Sequence, residues 1–552
     1  MRGRFGWIEV SHNGLSIWVN GSLDEYVMTR LFKPFENNDY NIREAYAYLN
    51  TSIKSIRGNF AIIAKSEKWV FAACDKVKSI QISYILTKDK EIIIGDHAPL
   101  LFRNAHLKKD DIDIDSFLQI AMSGYCTRSN TLYKDVYQLN AGESIMADIN
   151  SKLLLNEYYY TYSPWKVNNS PSRKKLIDEF SEVCLETVNE LIDSADERQI
   201  AIPLSAGNDS RLIASLLYEK GYKNVICFSY GKTNNFEVKT AGAIAEKLNY
   251  KWINIPCSIG SQKLFFKSSL YSEYLSSFDT YSSVVAVHDV AFISHLYENN
   301  LISNEAIIVN GNSGDFISGG HISEYKISNN LNINDNIKSN LPYFLDKHYS
   351  LWSLLRNKHN DSRITQELLS VADDRSIIQD VDVNSMHGYF EFLEYAGRQT
   401  QYVTGQQRAY DFFDYEWRLP LWSEYFLDFW EKVPVEYKTR QNLYVDTLRK
   451  NNWGGGWRSY PVNKQKITPP SLRVTRNFLK ILLSIAGKNS WHNFDRKVFH
   501  YWTDVSCNTA ITDYHKVLAD KNGYRNYISW VVDEYFRNHN LSLKSLKSLK
   551  KE

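Results

Sequence analysis

Gln199-Ile200-Ala201-Ile202-Pro203-Leu204, then Ser205-Ala206-Gly207-Asn208-Asp209-Ser210, then Arg211-Leu212-Ile213-Ala214-Ser215-Leu216-Leu217: this run decides the fold. Its first part is apolar enough for a buried strand, its middle is small and polar, and its end has helical periodicity. A tight loop between strand and helix aims backbone N–H groups and the helix N-terminus at an anion. The hydroxyls of Ser205 and Ser210 add donors. Taken bare, such a turn is common and names no ligand.

The pattern repeats on the C-terminal side. A strand over 225–230 ends in Tyr230-Gly231, a helix follows with Ala241, Ile244, Ala245 and Leu248 on one face, and a further strand covers 252–255. Strand, loop and helix in repeated order predict a parallel α/β sheet. The 205–210 loop and Tyr230-Gly231 then fall at the carboxyl ends of adjacent strands, where open sheets bind ligands. Upstream, 174–195 reads as one long helix, and 163–172, with its prolines, asparagines and serines, reads as a linker. Before it, 60–64, 69–73 and 91–94 read as short strands, separated by turns at 57–59 and 88–90. Beyond about residue 340 the chain is mostly helical and rich in aromatic residues, and a Ser-Leu-Lys repeat over 542–550 reads as a solvated, fraying tail.

At 552 residues the chain calls for two domains or more. Hydrophobic content of 43% against 23% charged residues is that of a globular protein. A net charge of +2 gives no electrostatic reason to expect nucleic acid as a partner. The 14% aromatic content is first of all a matter of packing, with sugar stacking as the alternative. The six cysteines stand singly and form neither a CxxC nor a metal spacing, which argues against a disulfide scaffold or a zinc site. No apolar run is long enough to cross a bilayer and no signal peptide is evident, so the expected compartment is the cytosol and no membrane partner is expected.

A second glycine-rich loop follows a strand over 306–309: Asn310-Gly311-Asn312-Ser313-Gly314-Asp315-Phe316-Ile317-Ser318-Gly319-Gly320-His321. A carboxylate such as Asp315 at a strand end can hold Mg²⁺ between phosphate oxygens. Together the two loops carry a resemblance. The first looks like the Ser-Gly-Gly-x-Asp-Ser pyrophosphate loop of the ATP pyrophosphatases, with Ala206 in place of the first glycine. The second resembles the Gly-Glu-Gly-x-Asp-Glu…Gly-Gly-Tyr segment of asparagine synthetases, with Asn312 and Phe316 in place of the two glutamates. Tyr415-Glu416-Trp417-Arg418-Leu419-Pro420-Leu421 resembles a later stretch of the same family, where Glu416 and Arg418 are read as a buried ion pair organising helices.

The N-terminal region looks like the glutaminase half of these enzymes. Met1-Arg2-Gly3-Arg4-Phe5-Gly6 aligns with its Met-Cys-Gly-x-x-Gly start, and 58–61, 131–133 and 139–142 follow in matching order. In that family an exposed Cys attacks glutamine. Arg2 stands in its place, and a permanently protonated guanidinium cannot be a nucleophile.

The resemblance implies a fold and a chemistry. The fold is α/β: a degenerate Ntn-hydrolase-like αββα domain over 1–162, a parallel-sheet ATP pyrophosphatase domain over 173–480, and a helical extension over 481–552. ATP and Mg²⁺ are the implied cofactors. Leu204, Ser205, Gly207, Asp209, Ser210, Tyr230, Gly231, Asn310 and Gly311 would surround the nucleotide, and Asp209 and Asp315 the metal. Asp315, Lys464 and Lys466 would act on charge developing in the reaction. The implied activity is an AMP- and pyrophosphate-forming ligase that adenylates a small-molecule carboxylate and passes ammonia or an amine to it. Ammonia would be free or come from a separate glutaminase, and a homodimer is compatible with the family. The wording of the loops looks most like the glutaminase-deficient branch associated with bacterial surface-polysaccharide (O-antigen) clusters, where uronic acid amidation is the expected reaction. Intramolecular amide formation, as in β-lactam synthetase or lasso-peptide cyclases, is the alternative enzyme reading. An ATP-binding pseudoenzyme or scaffold is the alternative of another class.

Overall fold

A computed structural model of the chain describes residues 6–546, apart from 13, 22, 24, 37–39, 90, 168–170, 233–234, 324, 326–327, 329–330, 461, 463–469 and 486–487. It is a mixed α/β protein. The first part holds two antiparallel sheets. Strands β1 (Ile8–His12), β2 (Leu15–Gly21), β3 (Phe60–Lys65), β4 (Trp69–Cys74), β8 (Glu143–Asp148) and β9 (Leu154–Tyr158) form a six-stranded sheet in the order β1-β2-β3-β4-β8-β9. Strands β5 (Ser83–Leu86), β6 (Ile92–Gly95) and β7 (Val136–Gln138) form a smaller one in the order β6-β5-β7.

The alternation of side chains along a strand decides how these layers stack. On one face of the larger sheet, Ile62, Ala64, Phe71 and Ala73 meet Leu31 and Phe32 of α1 (Glu25–Phe32) and Leu49 and Ile53 of α2 (Ile42–Ile53). The next residue along, Ala61, Ile63, Ala72 or Cys74, points to the other face. There it meets Ile85 and Val136 of the smaller sheet, which is backed by Leu101 of α3 (Ala98–Asn104) and Phe117 of α4 (Ile114–Ser123).

After α5 (Arg173–Ala195), capped by the Ser172 hydroxyl on the Lys175 N–H, the period changes. Strands β10 (Ile200–Pro203), β11 (Val225–Gly231), β12 (Lys251–Pro256), β13 (Ile307–Val309) and β14 (Glu416–Arg418) make a five-stranded sheet in the order β12-β11-β10-β13-β14. Every pairing in it is parallel. Helices α6 (Asp209–Glu219) and α7 (Phe236–Lys247) follow β10 and β11.

The two parts share one core. A single apolar cluster runs from Cys74 and Ile85 through Phe180 and Phe228 to Trp430. Polar contacts cross the same seam: buried Lys78 donates to Gln401 Oε1 at 2.6 Å, Gln401 donates to Asn140 Oδ1 at 2.8 Å, and Arg408 donates to the Ser79 carbonyl at 3.0 Å.

Three sequence expectations need correction. The stretch 163–172 is not an exposed linker throughout, because Ser163 and Trp165 are buried and Trp165 packs edge-on against Phe392. The Glu416–Arg418 pair is only half buried: Arg418 turns inward and donates to Ser194 in the last turn of α5, while Glu416 faces out. The Glu416 side chain is 53% exposed on edge strand β14, where Arg198 as well as Arg418 holds it. The tail begins packed: Leu543 and Leu546 are buried, because an apolar residue every third position suits one face of a closing turn.

Candidate active site

β10 is the pivot of the parallel sheet. From it the chain steps outward to β11 and β12, then returns to add β13 and β14 on the other side. The loops leaving β10 and β13 therefore emerge side by side where strand order reverses, the place at which such sheets leave a crevice.

The first loop is folded by its own hydroxyls. The Ser205 N–H donates to Ser210 Oγ and the Gly207 N–H to Ser205 Oγ, both at 3.1 Å. Leu204 is buried beneath it, with its N–H on the Phe228 carbonyl at 2.8 Å. Ala206 is wholly buried and its carbonyl accepts from Arg211 Nη2 at 2.8 Å, so its methyl group is covered by protein. Helix α6 opens without a side-chain cap from Asn208, and the one acid of its first turn is Asp209.

The second loop packs onto that first turn. A β-carbon on Gly311 would lie 2.7 Å from the Ser210 nitrogen, and one on Gly314 would lie 2.6 Å from Asp209 Cγ. Both glycines are required by this approach of loop to helix rather than by an unusual φ.

The approach brings Asp209 and Asp315 together. The Asp209 carboxylate accepts from the Asp315 N–H and, at 2.9 Å, from the Tyr444 hydroxyl. Burial first, and the neighbouring Asp315 charge second, push the Asp209 carboxyl up to about 7. Asp315 goes the other way. Desolvation within the cleft works to raise it, but the hydrogen bond and charge of His321 outweigh that and hold the carboxyl below its ordinary value. His321 Nε2 lies 3.0 Å from Asp315 Oδ2, and its Nδ1 bonds the buried Glu394. Burial disfavours the imidazolium, yet these two carboxylates raise His321 to about 9, so the ring is charged at neutral pH.

Glu394 is the anchor of this cluster. Burial works against its charge, but His348 and His321 hold the carboxyl well below the usual range. Lys347 Nζ and His348 Nε2 each stand 3.2 Å from Oε2, and Lys347 also donates to the His321 carbonyl at 2.6 Å. Asp315 and Glu394 each precede a π-helical turn, Phe316–Gly320 and Tyr395–Tyr402, a wide turn often found at functional sites.

Two carboxylates beside an anion-type loop, one raised by burial and by the charge of the other, fit a divalent cation shared with phosphate oxygens. Among the described residues no group of three or more His, Cys, Asp or Glu could hold a metal by itself. A cation between Asp209 and Asp315 would complete its shell from ligand oxygens and water.

On the β11 side, the Tyr230 ring stacks on Phe292 at 4.0 Å and its hydroxyl donates to Asp289 Oδ1 at 2.5 Å. Asp289 Oδ2 accepts from the Tyr410 hydroxyl at 3.2 Å, and Tyr410 accepts from Asn310 Nδ2 at 3.2 Å. This chain of bonds ties Tyr230 to the start of the second loop. Gly231 is walled by Asn235 and Val505. The Asn312 amide donates to Gln406 Oε1 at 2.9 Å. Phe316 is buried among Tyr162, His321 and Trp422, outside the cleft.

The structure thus brings together Leu204, Ser205, Gly207, Asp209, Ser210, Asn310, Gly311 and Asp315, with Tyr230-Gly231 on the next strand. Arg2, Lys464 and Lys466 lie outside the described residues. Sequence reasoning did not single out Asp289, Lys347, Glu394 or Tyr444, and gave His321 no role. The one signal for Glu394 is a pair of glutamates, Glu391 and Glu394, inside an otherwise apolar helical run, Tyr389-Phe390-Glu391-Phe392-Leu393-Glu394-Tyr395.

No protein-family model matches the sequence, and no curated protein does. Solved structures similar in part include the NH3-dependent NAD synthetase from Campylobacter jejuni, at 16% identity over 37% of this chain and 97% of that one, TM-score 0.20. An allosteric regulatory enzyme of purine biosynthesis matches at 10% identity over 45% of this chain and 62% of its own, TM-score 0.18. The glutamine phosphoribosylpyrophosphate amidotransferase of B. subtilis, complexed with ADP and GMP, matches at 10% identity over 48% of this chain and 75% of its own, TM-score 0.18. At these TM-scores the likenesses settle neither fold nor function.

Proposed function

We propose that the chain is an ATP-dependent amide-forming ligase that adenylates a carboxylate and transfers ammonia or an amine to it, without glutaminase activity of its own. The observation that carries this reading is the junction of the two loops, where Gly311 and Gly314 seat the Asp315 loop on the uncapped start of α6 and pair Asp315 with Asp209. The α6 N-terminus and the N–H groups of 205–210 would hold the phosphates. Asp209 and Asp315 would hold Mg²⁺, which supplies neutralisation of phosphate charge when bound. His321 sets the orientation and ionisation of Asp315, and Glu394 fixes His321 through its other nitrogen.

The external amine source rests on the sequence alone, where Arg2 stands at the position of the family's nucleophilic cysteine. Uronic acid amidation in surface-polysaccharide synthesis is the substrate reading we favour. It rests on the sequence resemblance.

The test is release of AMP and pyrophosphate from MgATP by the purified full chain, with ammonium and a panel of uronic acids. Ammonium-dependent uronamide formation supports the proposal, and glutamine should not replace ammonium. AMP formation that ignores ammonium would point to an internal amine and ring closure. ATP binding with no AMP under any condition would point to a scaffold.

A further inference from the structure

We propose that the helix Pro470–Ile485 is a peripheral docking element for an anionic lipid surface. Its apolar residues divide between two opposite faces. Leu472, Leu479 and Leu483 are half-buried toward the protein. On that side Arg476 is clamped by both oxygens of Asp495, at 2.6 and 2.8 Å, and lies 5.5 Å over the Trp491 ring. Val474, Phe478, Ile481, Leu482 and Ile485 point outward, between 47% and 84% exposed. At the turn of an α-helix these five form one stripe about 100° wide. Exposed apolar residues gathered this way mark a binding surface, whereas scattered ones do not.

Charge decides what covers the stripe. From residue 447 to residue 494 the sequence has nine Lys or Arg and no Asp or Glu. Arg473 and Lys480 are both exposed on the polar side of the same helix, next to the stripe. A second copy of this chain would bring one acid-free segment against another and repel it. Nucleic acid would satisfy the cations but leave the stripe in water. An anionic bilayer surface satisfies both, with the stripe in the headgroup boundary and the basic side chains among lipid phosphates. No helix of the described residues is long and apolar enough to cross a membrane. The contact is therefore one of lying on the surface. It is independent of the ligase reading, since neither the stripe nor Arg473 and Lys480 is among the residues assigned to the nucleotide site.

The test is co-sedimentation of the full chain with vesicles of phosphatidylcholine alone or mixed with phosphatidylglycerol. Binding should appear only with phosphatidylglycerol and weaken with salt. Arg473→Gln with Lys480→Gln should weaken it roughly fivefold per charge removed, and Phe478→Ser with Ile481→Ser should abolish it. Amide exchange over 470–485 in the unmodified protein should slow on anionic vesicles, a readout that needs no variant. Failure to bind anionic vesicles overturns the proposal. So would exchange protection that depends on protein concentration without lipid, which would assign the stripe to a second copy, or binding to DNA alone.

Discussion

Replacing Gly314 with alanine tests the junction of the two loops directly. The new methyl would sit 2.5 Å from Leu421 Cδ1, 2.6 Å from Asp209 Cγ and 2.8 Å from Asp209 Oδ1. Carbon atoms rest at about 3.5 Å or more, so the Asp209 carboxylate or the 310–315 loop must retreat by about 1 Å. The backbone at Gly314 has no positive φ, so nothing else opposes the change. Overpacking of this kind costs about 1–3 kcal/mol of stability. A misplacement of about 1 Å at a reacting centre costs on the order of a hundredfold in rate, equivalent to about 2.7 kcal/mol. The measurement is MgATP affinity by calorimetry and AMP formation, set beside Tm. Gly405→Ala supplies the control, since its β-carbon meets nothing within 4 Å and its φ is ordinary. A folded Gly314→Ala protein with the parent's MgATP affinity and turnover would refute the reasoning that this loop contact builds the site.

Further outcomes follow from the buried charges. Glu394→Gln removes the anion shared by His321, Lys347 and His348 and should lower Tm, because His321 keeps only Asp315 and Lys347 loses its carboxylate. Histidine NMR should show His321 titrating lower in the variant than in the parent, since one of the two carboxylates that raise it is gone. Lys78, 1% exposed, is lowered by burial to about 8. Its folded pKa lies below its unfolded one, so the unfolded chain binds more protons between pH 8 and the ordinary lysine range, and stability from this group rises with pH across that window. Lys78→Met should therefore gain most over the parent at pH 7 and lose that advantage toward pH 10, read as the difference in Tm. Phe316→Asp should destabilise by several kcal/mol, because Phe316 is buried between Tyr162 and Trp422 and the one neighbouring cation, His321, is already held by Asp315 and Glu394. Denaturant melts will show it.

How much of this was legible in the sequence depends on distance along the chain. The order strand, loop, helix around Ser205 and the close pairing of β10 with β11 are local, and periodicity alone exposes them. Asp315 was visible for the same reason, as a carboxylate just past a strand. β14 was not, because three residues, Glu416-Trp417-Arg418, are too few to show alternation and become a strand only by pairing with β13. Glu394 joins His321 across 73 positions, and Asp289 joins Tyr410 across 121. No spacing rule reaches that far, since tertiary packing alone creates those contacts. Asn312 reads in sequence as a missing base, and the fold puts its amide to use as a donor to Gln406.

The shared core has a consequence for ancestry and for handling the protein. Lys78, Asn140, Ser79 and Cys74 of the front part are walls for residues beyond 390. The front part is shielded from deletion, because excising it would expose Tyr395, Gln401 and Arg408 to solvent. Architecture alone is then enough to keep it in the chain. Anyone trimming the chain to a minimal nucleotide-binding fragment should expect an insoluble product, with the break falling along the seam these residues close.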